Sequence, residues 1–366
     1  MILPSEIIKR IISFIKPCWY PVMYYLFPNI MKSFPLPTKN QLNELLCWAA
    51  NNNDKHLCCL AKKCGAIDFD GMLFNSARSG NRYLCRLAKK WGANNFDLMI
   101  YSAALYGHSH ICYLAKKWEV KDINCMLNGA AEGGYECLCY LAKEWGASNF
   151  NEMLCIATRE DYEHICQLAI DWGANDLNKM LAIAAKNGYE HLCHIAKNHG
   201  ATDFNLMLHK AAWGKHEHIC RLAKKWGATN FNKMLSMAAR GGHERLCKLA
   251  KEWGVTNFNG MLIDAAVGGH EHICRLAKNW GANDFNGMLC NTAYKGHENL
   301  CHLAKEWGAT NFNEMIFYAA LGGHKNLCYL AKEWGANDFN GMMHAASIYG
   351  HENLFFLAEK WNSEIE

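Results

Sequence analysis

The side chains best equipped for chemistry in this sequence are cysteine and histidine, and both recur at a fixed spacing. Cysteine stands at Cys58, Cys85, Cys112, Cys139, Cys166, Cys193, Cys220, Cys247, Cys274, Cys301 and Cys328. Histidine precedes it by four residues at His216, His243, His270, His297 and His324. An i, i+4 pair faces one way on a helix, and imidazole with thiolate is a zinc-binding combination. A closed zinc site takes four ligands, however, and each pair supplies two. Three successive units replace the histidine with Tyr135, Tyr162 and Tyr189, and the last replaces the cysteine with Phe355. A slot that accepts phenylalanine packs a small hydrophobe, a part that free cysteine plays well. The expectation is therefore structural thiols, with no metal and no cofactor. The second histidine in His216-Glu217-His218 and His270-Glu271-His272 falls two residues on, which on a helix turns it away from the first.

Lysine and tryptophan form a second recurring set, as in Lys89-Lys90, Lys116-Lys117, Lys224-Lys225 and Lys251 before Trp91, Trp118, Trp226 and Trp253. A basic stripe with interleaved aromatics could hold a polyanion, and the indoles could stack on bases. Glu144, Glu252, Glu306 and Glu333 alternate into the stripe, and Ile170-Asp171 interrupts it. Solvated helix ends explain that alternation better. The tryptophan, beside a helix-ending glycine, is expected to pack between units. Ser, Asp and His occur at no spacing that recommends a triad. The chain is expected to be neither an enzyme nor a nucleic-acid binder.

These residues are positioned by a repeat. Trp-Gly-Ala recurs at Trp91, Trp145, Trp172, Trp226, Trp280, Trp307 and Trp334, with Trp118, His199 and Trp253 in the intervening slots, and every step is a multiple of 27. Twelve units fill residues 38–361 without an insertion, a regularity that defines a repeat array. In the unit 227–253, Phe231, Met234, Leu235, Ala238 and Ala239 mark one face of a first helix, and Leu246, Cys247 and Ala250 mark a second. Asp or Asn precedes the first helix in eleven of the twelve units, from Asp68 and Asn95 to Asp338, and is read as an N-cap. Gly241-Gly242 and Gly254 supply the positive φ that ends each helix. Helices this short are marginal alone, so units must stack. The expected fold is all-α, an α-solenoid of twelve helix-turn-helix units.

Composition agrees. Lys+Arg 38 against Asp+Glu 34 leaves a formal charge of +4 over 366 residues, too little to mark a dedicated nucleic-acid or anionic-membrane binder. Nineteen cysteines without a standard signal peptide are read as reduced thiols in an intracellular chain, in cytoplasm or nucleus. No stretch approaches the ~20 apolar residues of a membrane span. A monomer that binds other proteins is expected.

The run 238–254, Ala-Ala-Arg-Gly-Gly-His-Glu-Arg-Leu-Cys-Lys-Leu-Ala-Lys-Glu-Trp-Gly, resembles the core of an ankyrin repeat, and the resemblance extends over residues 38–361. Ankyrin units are 33 residues long. The six residues missing here are those of the β-hairpin, and Lys233-Met234-Leu235-Ser236 replaces the Thr-Pro-Leu-His signature. The resemblance implies ankyrin-like helices without hairpins, and shortened arrays of this kind are similar to those encoded by large DNA viruses. In ankyrin arrays the first helices line the binding side. The slots that change freely on the first helices here include Tyr101, Arg159, His209, Trp213, Tyr294, Phe317, Tyr318, Leu321 and His344. Large aromatics concentrate interface energy, so these nine are the candidate partner-binding surface.

Residues 1–37 depart from the repeat and are expected to form a separate small helical module, F-box-like or capping, with 362–366 as a tail. The opening Leu3-Pro4-Ser5-Glu6-Ile7-Ile8, continued by Ile11 and Ile12, resembles the start of an F-box. That resemblance implies docking onto a Skp-type subunit of a cullin–RING ubiquitin ligase through Leu3, Pro4, Glu6, Ile7, Ile8, Ile11 and Ile12. The competing reading is an apolar face that caps the first repeat, which every solenoid end requires. The functional expectation is an adaptor joining a ligase to a bound protein, or a plain scaffold or decoy without the ligase link.

Overall fold

A computed structural model describes residues 21–22 and 36–364, and from Lys39 onward these form helices joined by turns, with no strand among the described residues. The chain divides into two compact units, Met1–Asp176 and Leu177–Glu366. Each is an α-solenoid arrangement of consecutive helix-turn-helix repeats.

In the first unit the first helices are α1 (Lys39–Asn51), α3 (Phe69–Arg78), α5 (Phe96–Leu105), α7 (Asn124–Gly133) and α9 (Phe150–Arg159). The second helices are α2 (Lys55–Lys63), α4 (Arg82–Trp91), α6 (Ser109–Lys117), α8 (Glu136–Glu144) and α10 (Glu163–Asp171). The second unit continues with first helices α11 (Leu177–Asn187), α13 (Phe204–Trp213), α15 (Phe231–Arg240), α17 (Phe258–Gly268), α19 (Phe285–Lys295), α21 (Phe312–Leu321) and α23 (Phe339–Ile348). Its second helices are α12 (Glu190–Asn198), α14 (Glu217–Lys225), α16 (Glu244–Glu252), α18 (Glu271–Asn279), α20 (Glu298–Glu306), α22 (Lys325–Glu333) and α24 (Glu352–Ser363). The last helix runs two residues beyond the end expected for the array.

Local chemistry sets the helix ends. Side-chain oxygens of Asp68, Asn95, Asn149, Asp203, Asn230, Asn257, Asp284 and Asp338 accept a backbone N–H of the first turn, and Thr38 makes a full capping box with Gln41. Two members of the expected series do not cap their helix. Asn311 makes no side-chain cap, and α7 starts after Ile123 while Asp122 accepts from the Asn124 N–H instead. Of the two turn glycines only the second is left-handed: Gly242 has φ +72° and Gly241 is helical. The same slot holds Lys215 at φ +68° and Asp161 at φ +64°, a conformation that costs residues with a Cβ.

The core repeats with the sequence. Met72, Leu73, Ala77, Leu84, Cys85 and Ala88 of the first unit are fully buried, as are Met234, Ala238, Cys247 and Ala250 of the second. Each buried Leu or Met contributes about 1.5–3 kcal/mol of hydrophobic stabilisation before entropy is counted. Consecutive repeats are also tied by a polar ladder. The side-chain Oδ1 of the Asn or Asp following the first-helix phenylalanine accepts two consecutive backbone N–H groups of the next loop. Asp70 holds Asn94 and Asn95 at 2.8 and 2.9 Å, and Asn286 holds Thr310 and Asn311 at 2.9 and 3.1 Å. Exposed loops without a strand to pair with have their backbone donors satisfied this way.

Candidate functional site

The cysteine ring is core. Cys58, Cys85, Cys112, Cys139, Cys193, Cys220, Cys247, Cys274 and Cys328 are fully buried, and burial pushes each thiol up to about 12. At neutral pH these sulfurs are protonated, so they are poor nucleophiles and poor metal ligands. Among the described residues no three His, Cys, Asp or Glu side chains gather as a metal site would need.

The recurring histidine proves to be a bridge between repeats, a role its spacing from cysteine concealed. It sits just before the second helix without capping it. Its Nε2 instead approaches a backbone carbonyl thirty residues earlier: His108 to Arg78 at 2.9 Å, His243 to Trp213 at 3.3 Å, His297 to Val267 at 3.3 Å and His324 to Tyr294 at 3.0 Å. The ring also lies over the left-handed glycine of the preceding repeat. A Cβ built on Gly188 would come within 2.5 Å of His216, and one on Gly107 within 2.7 Å of Tyr135, which explains why tyrosine can replace histidine. The second histidine is not turned away as a helical spacing implies. His216 and His218 ring centroids are 6.0 Å apart, as are those of His270 and His272, and His272 Nε2 reaches the Gly242 carbonyl at 3.3 Å. The first of each pair lies outside the helix, so the i, i+2 rule does not apply to it.

The lysine stripe is likewise not simply solvated. In ten repeats the lysine two residues before the tryptophan slot stacks on the next repeat's tryptophan, with Ile170 breaking the series: Lys62 Nζ lies 4.4 Å from the Trp91 ring centre, Lys116 4.3 Å from Trp145 and Lys305 4.3 Å from Trp334. The indole edge meets its own repeat's phenylalanine, as in Phe231–Trp253 at 5.1 Å. Cation–π contacts of this kind contribute about 0.5–1 kcal/mol at exposed sites. They occupy the indole face that a base would need.

With the recurrent residues accounted for, the variable first-helix slots remain. Arg159, Trp213, Tyr318 and His344 are exposed, with Trp213 45% accessible. Tyr101, His209, Tyr294, Phe317 and Leu321 are half-buried. Tyr101 donates its hydroxyl to Glu132 at 2.5 Å, and burial with that carboxylate pushes its pKa up to about 12. Burial lowers the pKa of His209, whose Nε2 has no hydrogen-bond partner. Phe317 and Tyr318 meet edge to face at 5.5 Å. Tyr294 and Leu321 line one open depression of about 400 Å³ together with Tyr349. Tyr349 and Tyr106, 62% and 37% accessible, were not among the expected residues. Their signal was available: each stands in the slot that holds Gly133, Gly241 or Gly322 elsewhere. The candidate docking residues Leu3, Pro4, Glu6, Ile7, Ile8, Ile11 and Ile12 lie outside the described residues. No described helix is long and apolar enough to cross a membrane. Compared with known proteins, the chain matches no family model and no curated protein sequence.

Proposed function

We propose that this chain is a protein-binding scaffold that engages its partner through the variable slots of its first helices. One observation carries the reading. The residues that recur are engaged inside the array, as core thiols, histidine bridges, the Asn/Asp ladder and lysine–tryptophan stacks, while exposed first-helix slots carry large and unlike side chains such as Trp213, Tyr318 and Arg159. Aromatic and Arg side chains dominate interface energetics. The Gly-His turn and paired helices support an ankyrin-like reading of the units, and the shortened form supports an origin among large DNA viruses by resemblance. On this reading the chain is not an enzyme, works inside the cell as a monomer and has protein targets. The immobilised chain, exposed to cell lysate at low and high salt, should retain a protein in both; recovery of nucleic acid alone, lost steeply with salt, would sink the proposal.

A second reading rests on the opening Leu3-Pro4-Ser5-Glu6. Its similarity to an F-box supports a ligase adaptor in which residues 1–37 bind a Skp-type subunit and the repeats present a protein for ubiquitination. Co-purification of such a subunit, abolished by Leu3→Ala, Pro4→Ala and Ile7→Ala together, is the expected outcome. Failure of the intact chain to bind any Skp-type protein leaves residues 1–37 as a cap and the chain as a scaffold or decoy.

A further inference from the structure

Three neighbouring first helices of the second unit carry cations without acids. α11, α13 and α15 bear Lys179, Lys186, Lys210, Lys233 and Arg240, all exposed, and no Asp or Glu, whereas each of α1, α3, α5, α7 and α9 has at least one carboxylate. Positions i, i+4 and i+7 of a helix form one stripe. On α11 that stripe reads Lys179, Ile183, Lys186; on α13 it reads Leu206, Lys210, Trp213; on α15 it reads Lys233, Met237, Arg240. Cation and apolar side chain therefore alternate along each helix and also from one helix to the next.

The three stripes lie side by side, because α11 packs on α13 and α13 on α15. A Cβ on Gly214 would strike the Lys186 carbonyl, so the end of α11 abuts the turn that follows Trp213. His243 Nε2, 3.3 Å from the Trp213 carbonyl, ties that end to the turn after Arg240. His209 sits among the cations: burial, then the Lys233 and Lys210 charges, lower its pKa. Two nearby acids are engaged, Asp203 as the acceptor of the Leu206 N–H and Asp264 with Arg240 at 2.7 Å. Among the described residues, Lys186, Lys210 and Lys233 pair with no carboxylate. Trp226 of the same repeat is covered by Lys197 and Phe204 at 4.5 and 5.6 Å, but Trp213 has neither kind of contact among the described residues and is 45% accessible.

The alternation selects the occupant. A phosphate backbone would use the cations alone, and base stacking takes successive rings, whereas one indole stands here among aliphatic side chains. A bilayer takes up apolar side chains that reach into it, but Ile183, Leu206 and Met237 are half-buried between longer cationic neighbours. A polypeptide that mixes carboxylates with apolar side chains uses both kinds of position, pairing its acids with the cations and seating its apolar groups between them.

We propose that α11, α13 and α15 bind an acidic polypeptide segment with interspersed apolar residues. This rests on the first-helix reading above and adds to it the chemistry of the partner.

The test uses the full chain and a fluorescein-labelled peptide of four Asp-Ser-Leu-Glu quartets. Two further peptides replace Leu by Ser, or Asp and Glu by Asn and Gln. The chain variant is Lys186→Glu, Lys210→Glu, Lys233→Glu, and a control makes the same charge change at Lys225, Lys325 and Lys360. The wild type should bind the first peptide at low salt, and each altered peptide should bind about tenfold or more weaker, a comparison that leaves the protein untouched. The variant should lose about tenfold or more while melting within a few degrees of wild type, and the control should stay within about twofold. Absence of wild-type binding, equal affinity for the Ser-substituted peptide, equal losses in variant and control, or tighter binding of an oligouridylate or anionic vesicles would each overturn the proposal. If the peptide fails while the chain still retains a protein from lysate, the partner chemistry alone is wrong; if no protein is retained either, the first-helix reading fails with it.

Discussion

His324 Nε2 stands 3.0 Å from the carbonyl oxygen of Tyr294, and its ring covers the left-handed Gly296 beside it. A carbonyl only accepts, so Nε2 carries the proton. Tyr294 is one of the variable surface residues, and Trp213, another, is held in the same way by His243 at 3.3 Å. The recurring residue thus fixes the main chain from which the varying one projects. His324→Ala should lower stability by about 1–2 kcal/mol, and His324→Tyr by less, because tyrosine fills this place over Gly107. Urea unfolding followed by circular dichroism reads both; an unchanged midpoint for His324→Ala would refute the bridge.

The bridges make stability depend on pH. Burial lowers the pKa of His216 and His243 below the usual 6.5. Below that value the unfolded chain takes up protons that the folded chain resists, so stability falls with falling pH. The contribution is fully present above pH 6.5 and is lost as the pH drops through the folded pKa. His216→Tyr with His243→Tyr should show a smaller loss of melting temperature from about pH 7.5 to about pH 5 than wild type. Parallel curves would mean that these rings do not titrate with folding.

At the left-handed turn slot, Lys215→Gly removes a strained Cβ at φ +68° and should stabilise by about 0.5–1 kcal/mol after the flexibility of glycine in the unfolded chain is offset. Gly242→Ala should do the reverse, costing about 1–3 kcal/mol, since its Cβ would meet the His270 ring at 2.7 Å. Equal melting temperatures for the two variants would contradict the assignment.

The loop ladder predicts that acceptor chemistry matters more than size. Asn286→Asp should be nearly neutral, because Asp70 and Asp97 play the same part. Asn286→Ala leaves the Thr310 and Asn311 N–H groups without an acceptor and should cost about 1–2 kcal/mol, with faster amide exchange at those two positions. Unchanged exchange there would show that solvent satisfies them equally well.

Much of the fold was legible because it is local. Caps such as Asp68, the turn glycines and the Met234-Leu235 and Leu246-Cys247 faces act within a few residues. What escaped lies 24 to 30 residues away, between repeats, where no helical or strand periodicity reaches. The traces were nonetheless in the sequence: an Asn or Asp follows the first-helix phenylalanine slot in every unit from Asn43 to Asn340. In one repeat the Lys, Phe and Trp slots change together, to Ile170, Leu177 and His199, whereas Ile123 replaces the phenylalanine alone. The binding surface was less legible, because variability marks an unconstrained slot without saying how deep it lies. Tyr101 and His209 proved half-buried, and Tyr349 was overlooked.

The central claim, that the array is held by its recurrent residues and binds through its variable ones, is tested most directly by a single variant. Trp213→Ala, Phe317→Ala and Tyr318→Ala together should leave the helical signal intact and the melting temperature within a few degrees of wild type, since each contributes to the surface more than to the core. The same variant should lose about tenfold or more of the protein recovered from lysate by the wild-type chain. Full recovery of every bound protein by a folded triple variant would contradict the account.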